Sequence, residues 1–422
     1  MKTLNLKNLK LNRLKLSGLL LFTGLWTGLW LAQTQSARAL TLPESEIRMM
    51  TYHPLIQACA KNPQRAKALR AQASRWSTPR LNLVGEDLLG SAANSGQNYT
   101  QWTLEIAQEI PLTGYKGALS ALGEAESQAA QAQCQVLAQD LRKSLQGVYL
   151  ETLYWQEQQS LHEEQVLLVK ALRAGVARQI EQGKRPGVDL IRFDNEVEQA
   201  QLQWQAAQSA YALGLQKLQN FWPGHSPLDT ANPLIDPLFW PTEREPLNTD
   251  PKTQAAQAED KAARQELAAV SLQSLPDLTL GSGLRWHPES QDLGINVQMG
   301  WALPNLPAYA DQVEAQTLKQ AQTAQSLHYA QLQLQQARHQ TQQNLVQKQA
   351  QWERYQTDLL PRAEDYLQKV KQGLLLGKFT LLEVLEARRQ AYTLKAEALR
   401  LRYEVAQLLQ ERHELGVSTV QP

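Results

Sequence analysis

Cysteine is scarce in this sequence. Only Cys59 and Cys134 occur among 422 residues, which is too few for a fold held by a framework of disulfides. Both cysteines lie in segments with helical patterning. They can therefore form one disulfide in an oxidising compartment, or they can remain two small buried side chains within helices.

Signatures of catalysis are also lacking. The seven histidines are scattered, and residues 162–164 (His-Glu-Glu) do not fit the HExxH pattern of a zinc protease helix. Neither a phosphate-binding loop nor a nucleophile elbow is present. The sequence therefore predicts a protein that is not an enzyme and that has no metal site and no cofactor.

Long apolar runs are confined to the N-terminus. Five basic residues precede an apolar stretch at residues 16–32, and Ala-Arg-Ala follows at residues 37–39. A basic segment, an apolar segment and a small-x-small motif in this order predict a signal peptide, residues 1–39. A single-pass membrane anchor is the alternative, although the run is short for a span.

The rest of the chain is polar on average. Mean hydropathy is −0.44 although 43% of residues are hydrophobic, so no transmembrane helix is expected in the mature protein. Residence in a membrane would then require a β-barrel. Without residues 1–39 the chain carries 36 basic and 41 acidic residues, a balance that gives no general affinity for nucleic acid.

The body of the sequence is an internal duplication. Two copies of one unit are predicted, residues 40–221 and 252–416, because four landmarks recur in the same order. A linker with seven prolines joins them at residues 222–251, and residues 417–422 form a C-terminal tail. The paired landmarks are His53-Pro54 with Asp250-Pro251, residues 79–83 with 276–280, Ile110-Pro111 with Leu303-Pro304, and Gly183 with Gly377.

Each copy begins with a short helix and two strand-like runs. The clearest run, residues 293–303, alternates apolar side chains with polar or small ones, as a strand with one apolar face does. Residues 278–287 and 102–110 alternate similarly. In the run from Leu81, however, Val84 and Leu88 fall on the polar face. These runs predict four strands per chain.

Long helices are predicted after each strand pair. Residues 112–185 contain no proline and would reach roughly 100 Å as one helix. The chain then turns at residues 183–187 and returns as a helix over residues 188–218. The second copy repeats this hairpin, from residue 308 to 376 and from 380 to 413.

The four predicted strands cannot close a barrel by themselves. In lipid they would leave backbone groups unpaired at both sheet edges, which is unfavourable by several kcal/mol for each group. Closure therefore needs several chains, and strand counting alone does not fix their number. Trp102, Trp286 and Trp301 suit the interface between membrane and water. A soluble β-sandwich is the alternative for the same strands.

The sequence resembles the TolC-like outer-membrane efflux proteins, including their CzcC-like branch. The most specific match is residues 374–387, supported by residues 401–403, 108–114 and 183–189. The resemblance covers nearly all of the chain after the leader. It implies a mostly α-helical protein with a membrane β-barrel. Three copies, with four strands per chain, would form a 12-stranded barrel that continues into a long α-helical coiled-coil barrel.

The resemblance also implies function and partners. The homotrimer would lie in outer-membrane lipid with a large helical part in the periplasm. It would be the passive exit duct of a tripartite efflux or type I secretion system, joined through a periplasmic adaptor to an inner-membrane RND or ABC pump. The alternative is a periplasmic adaptor or another coiled-coil interaction protein of the envelope. The exported substrate stays open among metals, drugs, peptides and proteins.

Two acidic residues stand beside the second hairpin turn. Glu383 and Glu386 are three residues apart and share one face of a helix. In the family, acidic residues at the matching positions form rings at the periplasmic entrance. Three copies would therefore surround the aperture with carboxylates that favour cations. The alternative is a solvated helix face on which Glu386 pairs with Arg389.

A closed entrance is implied by the same resemblance. In the family an aspartate helps to hold neighbouring helices together, but its aromatic and arginine partner positions carry two apolar residues here. Apolar packing and one aspartate–lysine pair are expected to substitute. Gly183 and Gly377 are expected to allow tight turns at the hairpin tips and close approach of an adaptor; the alternative is a plain helix C-cap, which any hairpin needs. The residues of this predicted entrance latch are Asp189, Lys378, Leu374 and Phe379.

Overall fold

The structure, a computed structural model, covers most of the chain after the predicted leader. The predicted signal peptide, residues 223–249 of the linker, Gly377 and the predicted tail lie outside the described residues. In the part of the chain that is described, no helix has the length and apolarity needed to cross a membrane. The described residues are 41–87, 100–111, 114–222, 250–272, 277–301, 305–376 and 378–416.

Four strands form one antiparallel sheet in the described residues, in the order β1-β2-β3-β4. The inner pair, β2 and β3, joins the first predicted copy to the second, with Leu104 opposite Leu284. Along the described chain, β1 and β4 are the outer strands, each with one edge that has no partner strand. The strands are β1 (Arg80–Glu86), β2 (Gln101–Ile110), β3 (Leu278–His287) and β4 (Asp292–Trp301).

Helices make up most of the described chain, because its sequence is rich in alanine, leucine, glutamine and glutamate, which are strong helix formers. The longest has 67 residues and spans about 100 Å at 1.5 Å per residue. The helices are α1 (Leu42–Tyr52), α2 (Pro54–Cys59), α3 (Asn62–Ser74), α4 (Tyr115–Glu181), α5 (Val188–Gln219), α6 (Pro251–Ser271), α7 (Leu306–Arg354), α8 (Leu360–Leu375) and α9 (Leu381–Glu414).

A disulfide joins the end of α2 to α4. Cys59 and Cys134 are bonded, with their Cα atoms 5.8 Å apart, so the first of the two alternatives for the cysteines holds. Asn62, at the start of α3, donates to Cys134 Sγ at 2.9 Å. The two cysteines are 75 residues apart in the sequence. The closed loop therefore contains both β1 and β2.

Pro361 modifies the second long hairpin. The helix expected over residues 308–376 is two helices, α7 and α8, joined by a π-helical turn at Tyr355–Leu359. The N–H of Leu360 bonds to the carbonyl of Tyr355, five residues back instead of four. Proline has no N–H, and its ring collides with the preceding turn of an α-helix. The wider turn accommodates Pro361 without ending the helix.

Apolar clusters hold the described helices together. In the first, Met49 of α1 packs on Leu145 of α4, and both side chains are fully buried. In the second, near the hairpin turns, Val176 of α4, Phe193 of α5 and Leu385 of α9 pack together. The second cluster joins the α4–α5 hairpin to the hairpin that α8 and α9 form.

The helices neighbour one another in a defined order. Near the sheet, α3, α4, α6 and α7 lie side by side, whereas nearer the turns α5 packs chiefly on α4, and α9 packs on α4, α7 and α8. Helix α5 thus packs on α4 and, through the second cluster, on α9, whereas α7 packs on α6 and α9. Helices α5 and α7 each carry exposed apolar side chains spaced 11 residues apart, which are Ile191, Leu202 and Leu213 on α5 and Leu318 and Tyr329 on α7.

Candidate functional site

One face of the sheet is apolar and exposed. Leu293, Ile295 and Val297 of β4 are 67%, 79% and 74% exposed. Paired residues of antiparallel strands point to the same face, so Leu284, opposite Ile295, and Leu104, opposite Leu284, belong to this face as well. The alternation of apolar and polar residues in the sequence therefore corresponds to the two faces of the sheet. Among the described elements, no helix covers this face.

The opposite face of the sheet is polar and crowded. Glu105 on β2 is only 4% exposed. A Cβ at Gly281 would come within 2.8 Å of Glu105 Oε1, and one at Gly283 within 2.6 Å of the Leu104 carbonyl. At Gly283 the collision would be with backbone, so glycine is required there, whereas at Gly281 it would be with the end of the Glu105 side chain. A glycine within a strand marks a close approach of another backbone. On the same face, Arg285 contacts Glu86, Gln101 and Thr103 and so links three strands.

The three predicted interface tryptophans form two groups on the apolar face. Trp102 lies opposite Trp286 near the β3–β4 turn, whereas Trp301 lies opposite Leu278, where the sheet leads into the helices. Trp286 is paired with Leu293, and Trp301 follows eight residues later on β4. At about 3.3 Å per residue the two groups are about 26 Å apart along the strand.

The first hairpin turn depends on a glycine. Gly183 has a φ of +70°, in the left-handed region that favours glycine. The N–H of Lys184 bonds to the carbonyl of Gln179 at 2.9 Å, the bond that typically closes a helix at such a glycine. This motif ends α4 at Glu181, just before the turn expected at residues 183–187.

Asp189 has a local partner at this turn. Its Oδ2 atom lies 3.3 Å from Nη1 of Arg185, at the helical spacing of four residues. The expected pair between Asp189 and Lys378 does not occur in the described chain. Arg185 reaches Asp189 within one segment, whereas a pair with Lys378 would require the two hairpin tips to meet. Spacing alone therefore favours the local pair.

The second hairpin turn repeats the bonding of the first. The N–H of Lys378 bonds to the carbonyl of Gly373 at 2.8 Å. The ring of Phe379 folds back over Gly373, where a Cβ would collide with it. Leu374 packs on the cluster that contains Leu381 and Leu385. The two apolar residues of the predicted latch thus pack at the turn, and Gly373, which the sequence reading missed, makes room for one of them.

The two predicted entrance carboxylates are exposed at the start of α9 but differ in their contacts. Thr380 and Glu383 form a capping box: the N–H of Thr380 donates to Glu383 Oε2 at 2.6 Å, and the Thr380 hydroxyl accepts from the N–H of Glu383. These hydrogen bonds lower the pKa of Glu383 from its ordinary value. Among the described ion pairs, none joins Glu386 to Arg389.

The capping box has a sequence signal, Thr-x-x-Glu before an apolar helix, but the sequence analysis did not predict it. It gives Glu383 a structural role in addition to any role in conduction. Where the structure describes the chain, no three His, Cys, Asp or Glu side chains lie close enough together to hold a metal ion. The chemistry available at the turns is therefore that of exposed carboxylates beside apolar packing.

Comparison with known proteins gives relatives in one family. The family model for outer membrane efflux proteins matches residues 50–223. The nickel-cobalt-cadmium resistance protein NccC of Alcaligenes xylosoxydans xylosoxydans is 25% identical over 286 residues. That alignment covers 65% of this chain and 64% of NccC, so the chain spans just under two thirds of this relative's length.

Solved outer-membrane channels have the same fold. The CmeC channel of Campylobacter jejuni superposes with a TM-score of 0.73 at 12% identity, over 89% of this chain and 85% of CmeC. CusC superposes with a TM-score of 0.73 at 16% identity, over 89% of this chain and 92% of CusC. At these identities the likeness is one of fold. Taken together with the family match over residues 50–223, it shows that the chain is similar to outer membrane efflux proteins in sequence and in fold.

Proposed function

We propose that this protein is the outer-membrane exit duct of an efflux system. Three copies close a 12-stranded β-barrel, and their helices continue it as a tunnel into the periplasm. A periplasmic adaptor and an inner-membrane pump deliver the substrate to the tunnel. The observation that carries the proposal is the four-stranded sheet, with one exposed apolar face, one crowded polar face and long helical hairpins attached to it.

The geometry of the sheet supports a barrel wall. An apolar face turned outward suits lipid, and a polar face turned inward suits an aqueous interior. Along strands tilted by about 35–45°, the distance of about 26 Å between the two tryptophan groups spans roughly 20 Å of height, comparable with the ~25 Å apolar band that aromatic girdles flank in outer-membrane barrels. Trp102 and Trp286 are then at the outer surface, and Trp301 is at the periplasmic one.

The sides of the chain support assembly from several copies. Neither the outer edge of β1 nor that of β4 has a partner in the described chain, and a barrel removes both edges by pairing β4 of one copy with β1 of the next. Helices α5 and α7 also carry exposed apolar residues, which contact between neighbouring copies would cover. Contact of unlike sides in a closed ring gives a cyclic assembly.

Heavy-metal cations are the substrate class that we propose. The relative NccC is named for resistance to nickel, cobalt and cadmium. Glu383 and Glu386 place two exposed carboxylates per copy beside the second turn. Around a narrow entrance, six carboxylates would raise the local concentration of cations.

The assembly and its conductance test this proposal. The full chain is expected in outer-membrane fractions as a trimer by native mass spectrometry, and it is expected to form ion-conducting pores in planar bilayers. A monomer confined to the soluble periplasmic fraction, without conductance, would favour the periplasmic adaptor instead. Trimers that do not conduct would also contradict the proposal.

Removing the entrance carboxylates is expected to change ion selectivity. In the variant Glu383→Gln/Glu386→Gln, the cation-to-anion permeability ratio should fall, and block by multivalent cations should weaken, because six negative charges are lost from the trimer. Reversal potentials in asymmetric salt measure the ratio. The matched control is Thr380→Ala, which removes the capping hydroxyl but keeps both charges, and it should retain the wild-type ratio. A double variant with wild-type selectivity would contradict the acidic ring.

A further inference from the structure

A buried ion pair crosses the contact between the two hairpins. Nη2 of Arg388 on α9 lies 3.1 Å from Oε2 of Glu196 on α5. Phe193 and Ala200 of α5, three residues before and four after Glu196, pack in the same cluster as Leu385 of α9. The ion pair therefore lies on the same faces of α5 and α9 as the apolar contacts between these helices.

Arg388 depends on Glu196 for its charge partner. The Arg388 side chain is 10% exposed and that of Glu196 is 25% exposed. Nε and Nη1 of Arg388 are buried and have no hydrogen-bond acceptor among the described residues. Burial lowers the pKa of Arg388, and the nearby Glu196 carboxylate opposes that shift. Separating the pair would leave a buried cation with nothing to neutralise it, which is strongly unfavourable.

The pair restricts motion that apolar contacts allow. Apolar side chains can slide past one another with modest loss, whereas a hydrogen-bonded ion pair requires one axial position and one rotation of α9 relative to α5. Glu386 is two residues before Arg388 on the same helix, about 3 Å along its axis. Whatever fixes Arg388 therefore also fixes the direction in which Glu386 and Glu383 project.

We infer that Arg388 and Glu196 are positioning residues of the entrance. Their ion pair holds the second hairpin against the first, which keeps the acidic residues of α9 at the aperture and keeps the aperture narrow. Separation of the pair lets the start of α9 move away from α5 and widens the entrance. This inference rests on the proposed function, since it assigns the pair a role in conduction.

Single-channel conductance of full-length variants tests the role. Glu196→Gln and Arg388→Gln should each raise the conductance several-fold, because each removes the charge pairing that holds α9 against α5. The charge-reversed double variant, Glu196→Arg/Arg388→Glu, should return it toward the wild-type value. The matched control is Glu164→Gln, which breaks the exposed pair of Glu164 with Lys395 between α4 and α9 and should leave conductance unchanged.

A covalent link separates positioning from general stability. In the variant Glu196→Cys/Arg388→Cys, a short bifunctional thiol cross-linker should restore low conductance. Cys59 and Cys134 are already bonded to each other, so the new thiols are the reactive pair. Single variants that conduct like wild type, or a cross-link without effect, would overturn the inference alone. A wild-type protein that never conducts would overturn the proposed function and the inference together.

Discussion

Replacing Val297 with lysine is expected to prevent accumulation of the assembled protein in the outer membrane. Val297 lies in the middle of β4, 74% exposed on the apolar face, opposite Ser282. A lysine on the lipid face of a barrel is unfavourable by about 2–4 kcal/mol at the bilayer midplane, and a trimer carries three. Three such losses, about 6–12 kcal/mol together, are comparable with the whole margin of about 5–15 kcal/mol by which folded proteins are stable.

The neighbouring residue provides the matched control. Asn296 is next to Val297 on the same strand but belongs to the polar face, opposite Gly283. Asn296→Lys should therefore assemble nearly as well as wild type, since its ammonium would meet water. Trimer yield in outer-membrane fractions, compared by immunoblot at equal expression, measures both. Equal yields from the two variants would contradict the assignment of the exposed face to lipid.

Loss of the disulfide is expected to lower the melting temperature substantially. Cys59 and Cys134 close a loop of 75 residues, for which the loss of chain entropy in the unfolded state corresponds to about 4–5 kcal/mol. The variant Cys59→Ser/Cys134→Ser should unfold at lower temperature by circular dichroism. Since α2 and α3 are attached to α4 through this bond, they should be the first helices to become accessible to protease.

Reductant distinguishes the disulfide from the effect of the serine side chains. The melting temperature of wild type should fall on addition of reductant, and that of the double serine variant should not change. If reductant left the wild type unaffected while the thiols were shown to be free, the stabilising role of the bond would be refuted.

The regular parts of the fold could be predicted because they depend on local pattern. Alternation along residues 278–301 predicts both faces of β3 and β4, and the structure has them. The turn at Gly183 was also predictable, because a helix that ends in the left-handed region favours glycine. The π-helical turn before Pro361 was not, since proline in a helical run can end, kink or widen the helix according to its tertiary contacts.

The contacts of the candidate site were less predictable. Arg388 and Glu196 are 192 residues apart, and no local pattern joins them. The capping role of Glu383 follows from its spacing to Thr380 and could have been predicted. The functional roles of the acidic residues, the latch residues and the tryptophans stay predictions.

The π-helical turn also determines which side chains of α8 face α9. Thr341 and Lys348 of α7 and Tyr355, the first residue of the π-helical turn, recur every seven residues, and Ala363 and Val370 repeat that spacing on α8. Eight residues, however, separate Tyr355 from Ala363. The π turn absorbs the extra residue. In an uninterrupted α-helix it would rotate everything after it by about 100°, and Val370 would leave its contact with α9. The π turn thus restores the register of the helix. One row of side chains with heptad spacing continues across it, although the sequence contains one extra residue there.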